Sequence, residues 1–284
     1  MPVNSIITNS SALLAVEALD GINASLQTTQ NEISTGYRVS NATDDGAAYA
    51  VAQSVRSDVG ALTSVNQQLG GASGLLGTTL TGLNSISSTL SSARDVLISL
   101  ADVSVQGNER TQYEEQYNQL MISIRANIQD TSYNGATLIG DVTGSTGSFS
   151  SLSVVRNEVG NSYTVSSFSG SALYGSVAFT STQLGSSTTV ASLISATGTF
   201  VNASNSVGTA LNQYGSASDY LSNQMTFNSD KIDSLNDGLG ALVDADMTQE
   251  SAQLQALQVQ QQLATQALSI ANQAPQALLK LFES

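Results

Sequence analysis

The sequence predicts a mainly α fold: a long antiparallel helical bundle or coiled coil with a small β-rich insert at its tip. Three observations carry this. Proline stands only at positions 2 and 275 of 284 residues, so no residue from 3 to 274 imposes the cost of about 3 kcal/mol that proline brings to a helix interior. Leu62, Leu69, Leu76, Leu83, Leu90 and Leu97 recur every seven residues, the spacing of a helix–helix seam. Helical patterns also flank a Gly/Ser/Thr-rich centre in near mirror order, which an antiparallel helical hairpin with adjoining ends satisfies.

The elements follow in order. Ala15, Leu19, Ile22, Leu26 and Ile33 alternate steps of four and three, with Thr29 in the one polar slot, so the first helix is amphipathic. Gly36 is its expected C-cap, and Asn41 or Thr43 is the expected start signal of the next helix. Asp44 and Asp45 would then fall in that helix's first turn, where negative charge meets the positive end of the dipole. The second helix, about 44–104, sets Val65, Ala72, Thr79, Ile86, Ala93 and Leu100 between its leucines. Gly70, Gly71, Gly74, Gly77 and Gly82 weaken it by about 1 kcal/mol each against alanine, so it should depend on its neighbours.

Tyr113, Tyr117, Leu120, Ile124 and Ile128 predict a shorter helix that stops before an Asn134-Gly135 turn. "SLSVV" and "SYTVSSF" flank "RNEVGN", which predicts two strands joined by a turn. Phe200, Val207, Leu211, Tyr214, Leu221, Met225, Ile232, Leu235 and Leu239 lie on one heptad grid. A last helix, about 248–282, aligns Leu257, Ala264, Leu268, Ala271, Leu278 and Phe282. The expected domains are 1–43 with 240–284 (terminal coiled coil), 44–140 with 187–239 (helical bundle) and 141–186 (β-rich insert).

Composition narrows function. Charged residues are 11% of the chain and the net charge is −14, with eight basic residues spread singly. That leaves no basic patch for nucleic acid and no attraction to an anionic membrane surface; no run of about 20 apolar residues marks a span. Histidine and cysteine are absent, which removes the commonest general base, the thiol nucleophile and most transition-metal ligands. No catalytic, cofactor-binding or metal residues are expected. Asp44-Asp45 reads as helix-start electrostatics instead of an acid pair, and Asp244 with Asp246 supplies too few oxygens for calcium. A secreted hydrolase would need convergent carboxylates, and nothing in the sequence clusters them. No Lys or Arg precedes Arg38, so the basic region of a secretory signal is missing, and composition alone suggests the cytoplasm. Both ends nevertheless carry apolar helical patterns, "SIITNSSALLAVEALDGI" and "ALSIANQAPQALLKLFES", where termini are ordinarily polar.

The blocks Ile6 to Asn9, Thr35 to Val39 and Asp44 to Ala48 resemble the N-terminal signature of bacterial flagellins. "TSYNGATLI" is similar to that family's Phe-Asn-Gly block, with Tyr133 for Phe. "LVDADMTQESAQLQALQVQQQLATQALSIANQAPQALLKLF" resembles its C-terminal signature. The match covers about 1–140 and 190–284. The resemblance implies a structural subunit that polymerises with itself into the extracellular flagellar filament for motility. It implies export through the flagellar type III channel without a cleaved signal peptide. The other implied partners are a flagellin chaperone and the hook-junction and cap proteins. Terminal helices that order only on polymerisation would join subunits through Leu19, Ile22, Leu26, Ile33, Leu257, Leu268, Leu278 and Phe282. A hook–filament junction protein is the near alternative. The family's Arg-Glu-Leu patch for an innate-immune receptor stands here as Arg94, Asp95, Val96, and its further acidic contact falls on Gln116, so weak recognition is expected. The Ser/Thr-rich insert suits either O-glycosylation or plain polar surface.

Overall fold

The computed structural model describes residues 9–282, with side chains to Gln273. The helices are α1 (Ser10–Thr35), α2 (Gly46–Ala101), α3 (Gly107–Asp130), α4 (Gly170–Val177), α5 (Ser181–Leu184), α6 (Ser187–Leu193), α7 (Thr199–Val243) and α8 (Met247–Phe282). The strands are β1 (Ala136–Thr137), β2 (Ser148–Phe149), β3 (Leu152–Val155) and β4 (Ser162–Val165). The chain divides into two compact units, 1–59 with 233–284 and 60–232.

In the 60–232 unit the heptad leucines behave as their spacing requires. Leu62, Leu69, Leu76, Leu83, Leu90 and Leu97 are all buried, as are Val65, Ala72, Thr79, Ile86, Ala93 and Leu100 between them. Thr79 satisfies its hydroxyl within its own helix by donating to the Leu75 carbonyl at 2.8 Å. From α3 come Tyr117, Met121, Ile124 and Ile128, and from α7 Phe200, Val207, Tyr214 and Leu221. Three predicted α7 positions of this unit, Leu211, Met225 and Ile232, are only half-buried, while Ala203, Ala210, Ala217 and Asn228 are buried. Alanine carries too little surface to stand out in a hydrophobicity pattern, yet it lets the helices approach closely. The buried tyrosines keep their hydroxyls paired: Tyr117 donates to the Val177 carbonyl at 2.6 Å and Tyr214 to the Ser166 carbonyl at 3.0 Å. Burial holds the Tyr117 phenol far above its ordinary range and pushes Tyr214 up to about 12.

The hairpin around "RNEVGN" forms as antiparallel β3 and β4, with Leu152 opposite Val165. Tyr163 on β4 packs against Tyr220 of α7, the rings tilted by 30° with centroids 4.1 Å apart. Lys231 meets Glu158 at 2.6 Å, and Asn228 donates to the Arg156 carbonyl at 3.2 Å. The Asn134-Gly135 turn also forms, both residues at positive φ.

The second half of the insert departs from expectation. Residues 170–184 form two short helices, α4 and α5, inside the segment 141–186 that was predicted as β-rich, and a third, α6, follows it. The reason is local: Ser169, Thr180 and Ser186 each accept from the backbone N–H three residues on, Thr180 within a capping box with Gln183. Leu173, Val177, Leu184 and Val190 then bury the faces so created. The start of α2 differs too. The Asp45 carboxylate accepts from the amides of Ala47 and Ala48 at 3.0 Å each, so Asp45 is the cap, not Asn41 or Thr43.

The α2 glycines separate into two kinds. A Cβ on Gly82 would lie 2.2 Å from the Thr131 hydroxyl, and one on Gly74 would meet the Tyr133 ring at 2.7 Å. Gly70, Gly71 and Gly77 face open space within the chain. Gly82→Ala should therefore lower the urea midpoint of the soluble chain, by a cost of about 1–3 kcal/mol for overpacking. Gly77→Ala should raise it by about 1 kcal/mol.

Candidate assembly surfaces

The two ends of the sequence pair with one another. The α1 and α8 helices run antiparallel: Asn9 Nδ2 donates to the Ala271 carbonyl at 2.8 Å, and Gln261 Nε2 to Asn23 Oδ1 at 2.6 Å. Where the pair ends, the Ala245 amide donates to the Gly36 carbonyl at 3.0 Å. Gly36 closes α1 in the left-handed conformation, φ 76°, as its C-cap role requires.

Of the residues expected to join subunits, six have described side chains. Leu19, Ile22, Leu26 and Ile33 are half-buried on α1, Thr29 is buried, and Leu257 is buried with Leu268 half-buried on α8. Leu278 and Phe282 lie outside the described side chains. The α8 backbone stays helical to Phe282, past Pro275. Two features escaped the sequence reading. Glu250 occupies a buried seam position, four residues before Leu254 and seven before Leu257. A second set of apolar side chains lies off the seam: Leu13 is 65% exposed, Leu14 66%, Leu263 58% and Ile270 69%.

The links that interrupt the helices at each end also meet. Tyr37 bridges Asp244, the Arg38 amide donates to the Val243 carbonyl at 2.8 Å, and Arg38 Nη2 donates to the Leu242 carbonyl at 2.7 Å. Val39, Ala52 and Val243 form a small core beneath them, and the Arg56 guanidinium sits 5.7 Å over the Tyr37 ring. The acids here have structural work. Asp44 accepts from the Ser40 amide and hydroxyl, at 2.9 Å each, and from the Asn41 amide. Those bonds, the Ser40 amide foremost, hold its carboxyl below the usual range. Asp246 accepts from the amides of Thr248 and Gln249 and so caps α8.

On the other unit, Arg94 and Asp95 are exposed and Val96 is buried. Asp95, Val96 and Gln116 line one shallow groove of about 300 Å³ between α2 and α3, together with Tyr113 and Leu120; Arg94 is not part of its lining.

A chain poor in charge, built of long seamed helices, with its ends paired and apolar side chains left uncovered along them, is a structural, self-associating subunit. It belongs to the bacterial flagellin family. Residues 6–143 match the bacterial flagellin N-terminal helical region and residues 194–282 the C-terminal helical region. A flagellin of Brucella melitensis is 35% identical over 98% of this chain and 99% of its own length. Flagellin FljM of Caulobacter vibrioides is 32% identical over 99% and 100%. A solved flagellar hook-associated protein of Vibrio parahaemolyticus shares the fold, with a TM-score of 0.55 over 71% of this chain and 100% of that one, at 16% identity. The chain is a structural subunit of the flagellar filament, and the junction-protein alternative is no better supported.

Leu257→Ala should weaken the α1–α8 pair by about 2–5 kcal/mol. Hydrogen exchange is expected to show faster exchange in residues 10–35 and 247–273, with the 60–232 unit unchanged.

Proposed function

We propose that this filament subunit joins its neighbours through the α1–α8 pair, acting outside the cell in swimming motility. The observation that supports this reading is the uncovered apolar set at Leu13, Leu14, Leu263 and Ile270. An apolar surface beyond what one chain covers marks an interaction site. Seam residues Leu19, Ile22, Leu26, Ile33, Leu257 and Leu268 hold the pair in register so that the outer set is presented to other copies; Leu278 and Phe282, also expected in assembly, lie beyond the described side chains. Burial at roughly 25 cal/mol per Å² of apolar area drives the contact, against about 1–2 kcal/mol for each residue ordered.

In this reading residues 1–43 and 240–284 are the terminal assembly domain and 44–140 with 187–239 the bundle, while 141–186 carries the variable insert. The chain is exported without a cleaved signal peptide through the flagellar export apparatus, escorted by a flagellin chaperone. It meets hook-junction and cap proteins at the filament's ends. It carries no catalytic role.

Seeded polymerisation of the full chain beside a copy truncated after Val243, viewed by negative-stain microscopy, tests the reading. Long filaments are expected from the full chain alone. Filaments from both would remove α8 from assembly, and folded monomers from both would favour the junction protein. A second measurement concerns the α2–α3 groove. Asp95 and Gln116 stand where the family's receptor contact has other groups, so purified protein should activate an innate-immune receptor reporter only weakly; strong activation would sink that expectation.

A further inference from the structure

Tyr163 of β4 and Tyr220 of α7 lie ring against ring, tilted by 30°, with centroids 4.1 Å apart. Packed aromatic rings ordinarily stand roughly 4.5–7 Å apart, so this pair is unusually close. Both side chains are half-buried at the edge of the bundle core, within reach of solvent. Polar contacts on either side keep the rings there. The Tyr214 hydroxyl donates to the Ser166 carbonyl just past β4, and Asn228 donates to the Arg156 carbonyl just past β3. Arg156 Nη1 also donates to the Tyr220 hydroxyl oxygen at 3.3 Å.

The composition decides where a one-electron oxidant would act. The chain has nine tyrosines and neither tryptophan, cysteine nor histidine, so the phenols are its most readily oxidised rings. Tyr117 and Tyr214 are fully buried with their hydroxyls bonded to carbonyls. Burial resists loss of their protons, pushing Tyr214 up to about 12. Among the described residues Tyr117 has Phe179, not a tyrosine, as a ring neighbour. Tyr163 and Tyr220 are left as the half-exposed pair in contact.

We propose that Tyr163 and Tyr220 form an oxidative modification site, set to couple into a dityrosine that staples the β3–β4 hairpin to α7 when a peroxide acts through a one-electron carrier. Each phenol gives up one electron and its hydroxyl proton and becomes a phenoxyl radical. The two radicals join by a new bond between Cε carbons, ortho to the oxygens. The hydrogens on those carbons then pass to the oxygens as the rings become aromatic again. Two tyrosines therefore yield one dityrosine, two protons and two electrons. The electrons break the O–O bond of the peroxide; hydrogen peroxide takes up the two protons and leaves as two waters. Contact within the fold replaces a diffusional meeting of two radicals. The staple closes a long loop of chain, which restrains the unfolded state as a disulfide does, in a chain with no cysteine to make one.

The inference concerns contacts within one chain and is independent of how copies assemble. The test irradiates dilute, soluble full chain with a ruthenium tris-bipyridine photo-oxidant and persulfate, the peroxide here, whose O–O bond breaks to give two sulfates. Cleavage before aspartate separates Tyr163, in 141–218, from Tyr220, the sole tyrosine of 219–229. The expected product is these two peptides joined with the loss of two hydrogens, from a band that runs as monomer. Methionine oxidation, as at the 44%-exposed Met247, adds oxygen and is told apart by mass. Tyr163→Phe and Tyr220→Phe, each keeping its ring, should abolish the joined pair, as should unfolding in urea before irradiation. Tyr37→Phe, an exposed change in the other unit, should not. Absence of the joined pair in the native chain, its survival in Tyr163→Phe or in urea, or a yield that falls on dilution would overturn the proposal.

Discussion

The terminal helices carry more apolar surface than one copy of the chain can cover, and that surplus shapes the rest of the structure. A helix that buries one stripe against a single partner shows apolar residues at steps of three and four. The α1 helix has that stripe and adds Leu13 and Leu14 beside it; α8 adds Leu263 and Ile270. Pairing α1 with α8 satisfies the first stripe of each and leaves the second set. The composition fits this arrangement. With charged residues at 11%, Ser, Gln, Thr and Asn line the remaining helix surface, and these can face water or another protein at little electrostatic cost.

Much of this was legible in the sequence because the helices are long and their heptads sustained. Each leucine of α2 from Leu62 to Leu97 was placed by spacing alone, and the hairpin at "RNEVGN" by its alternation and turn residues. The paired links were visible only as two interruptions; nothing in "STGYRVSNATDD" or "NDGLGALVDAD" announces that Arg38 will reach the Leu242 carbonyl. The helices of 170–184 were missed because each is about two turns or shorter, too brief for periodicity to register. Their signal was the caps: Ser169 and Thr180 each stand a few residues before a small apolar cluster. Glu250 was missed for the opposite reason. A heptad reading collects apolar residues and passes over a charged one on the same line, although a buried carboxylate is chemically the most informative side chain on it.

A seam as regular as that of α2 poses a problem of register. Six leucines at identical spacing would pack nearly as well if a neighbouring helix slid by seven residues, since leucine would again meet the same layer. Contacts that are not repeated remove the degeneracy. Gly82 admits Thr131 and Gly74 admits Tyr133, and no other α2 glycine has a neighbour there. A slide by one heptad would drive Thr131 against the side chain of Leu75 or Thr89 instead of bare backbone. On α7 the pin is polar: Asn228 is fully buried and donates to Asn66 Oδ1 on α2 at 3.0 Å as well as to the Arg156 carbonyl.

The same logic applies at the chain's ends. Gln261 Nε2 donates to Asn23 Oδ1, and Glu250 is buried on the seam, so sliding of α8 along α1 would break the one bond and move the other side chain out of its place. Apolar repeats supply the drive to pack, and a few polar or glycine positions choose one packing among several of similar area. That division explains why the residues hardest to see in a hydrophobicity pattern are the ones that make the fold unique. A chain whose leucines alone were kept would retain its helices and lose the fixed alignment between them, on which a regular outer surface depends.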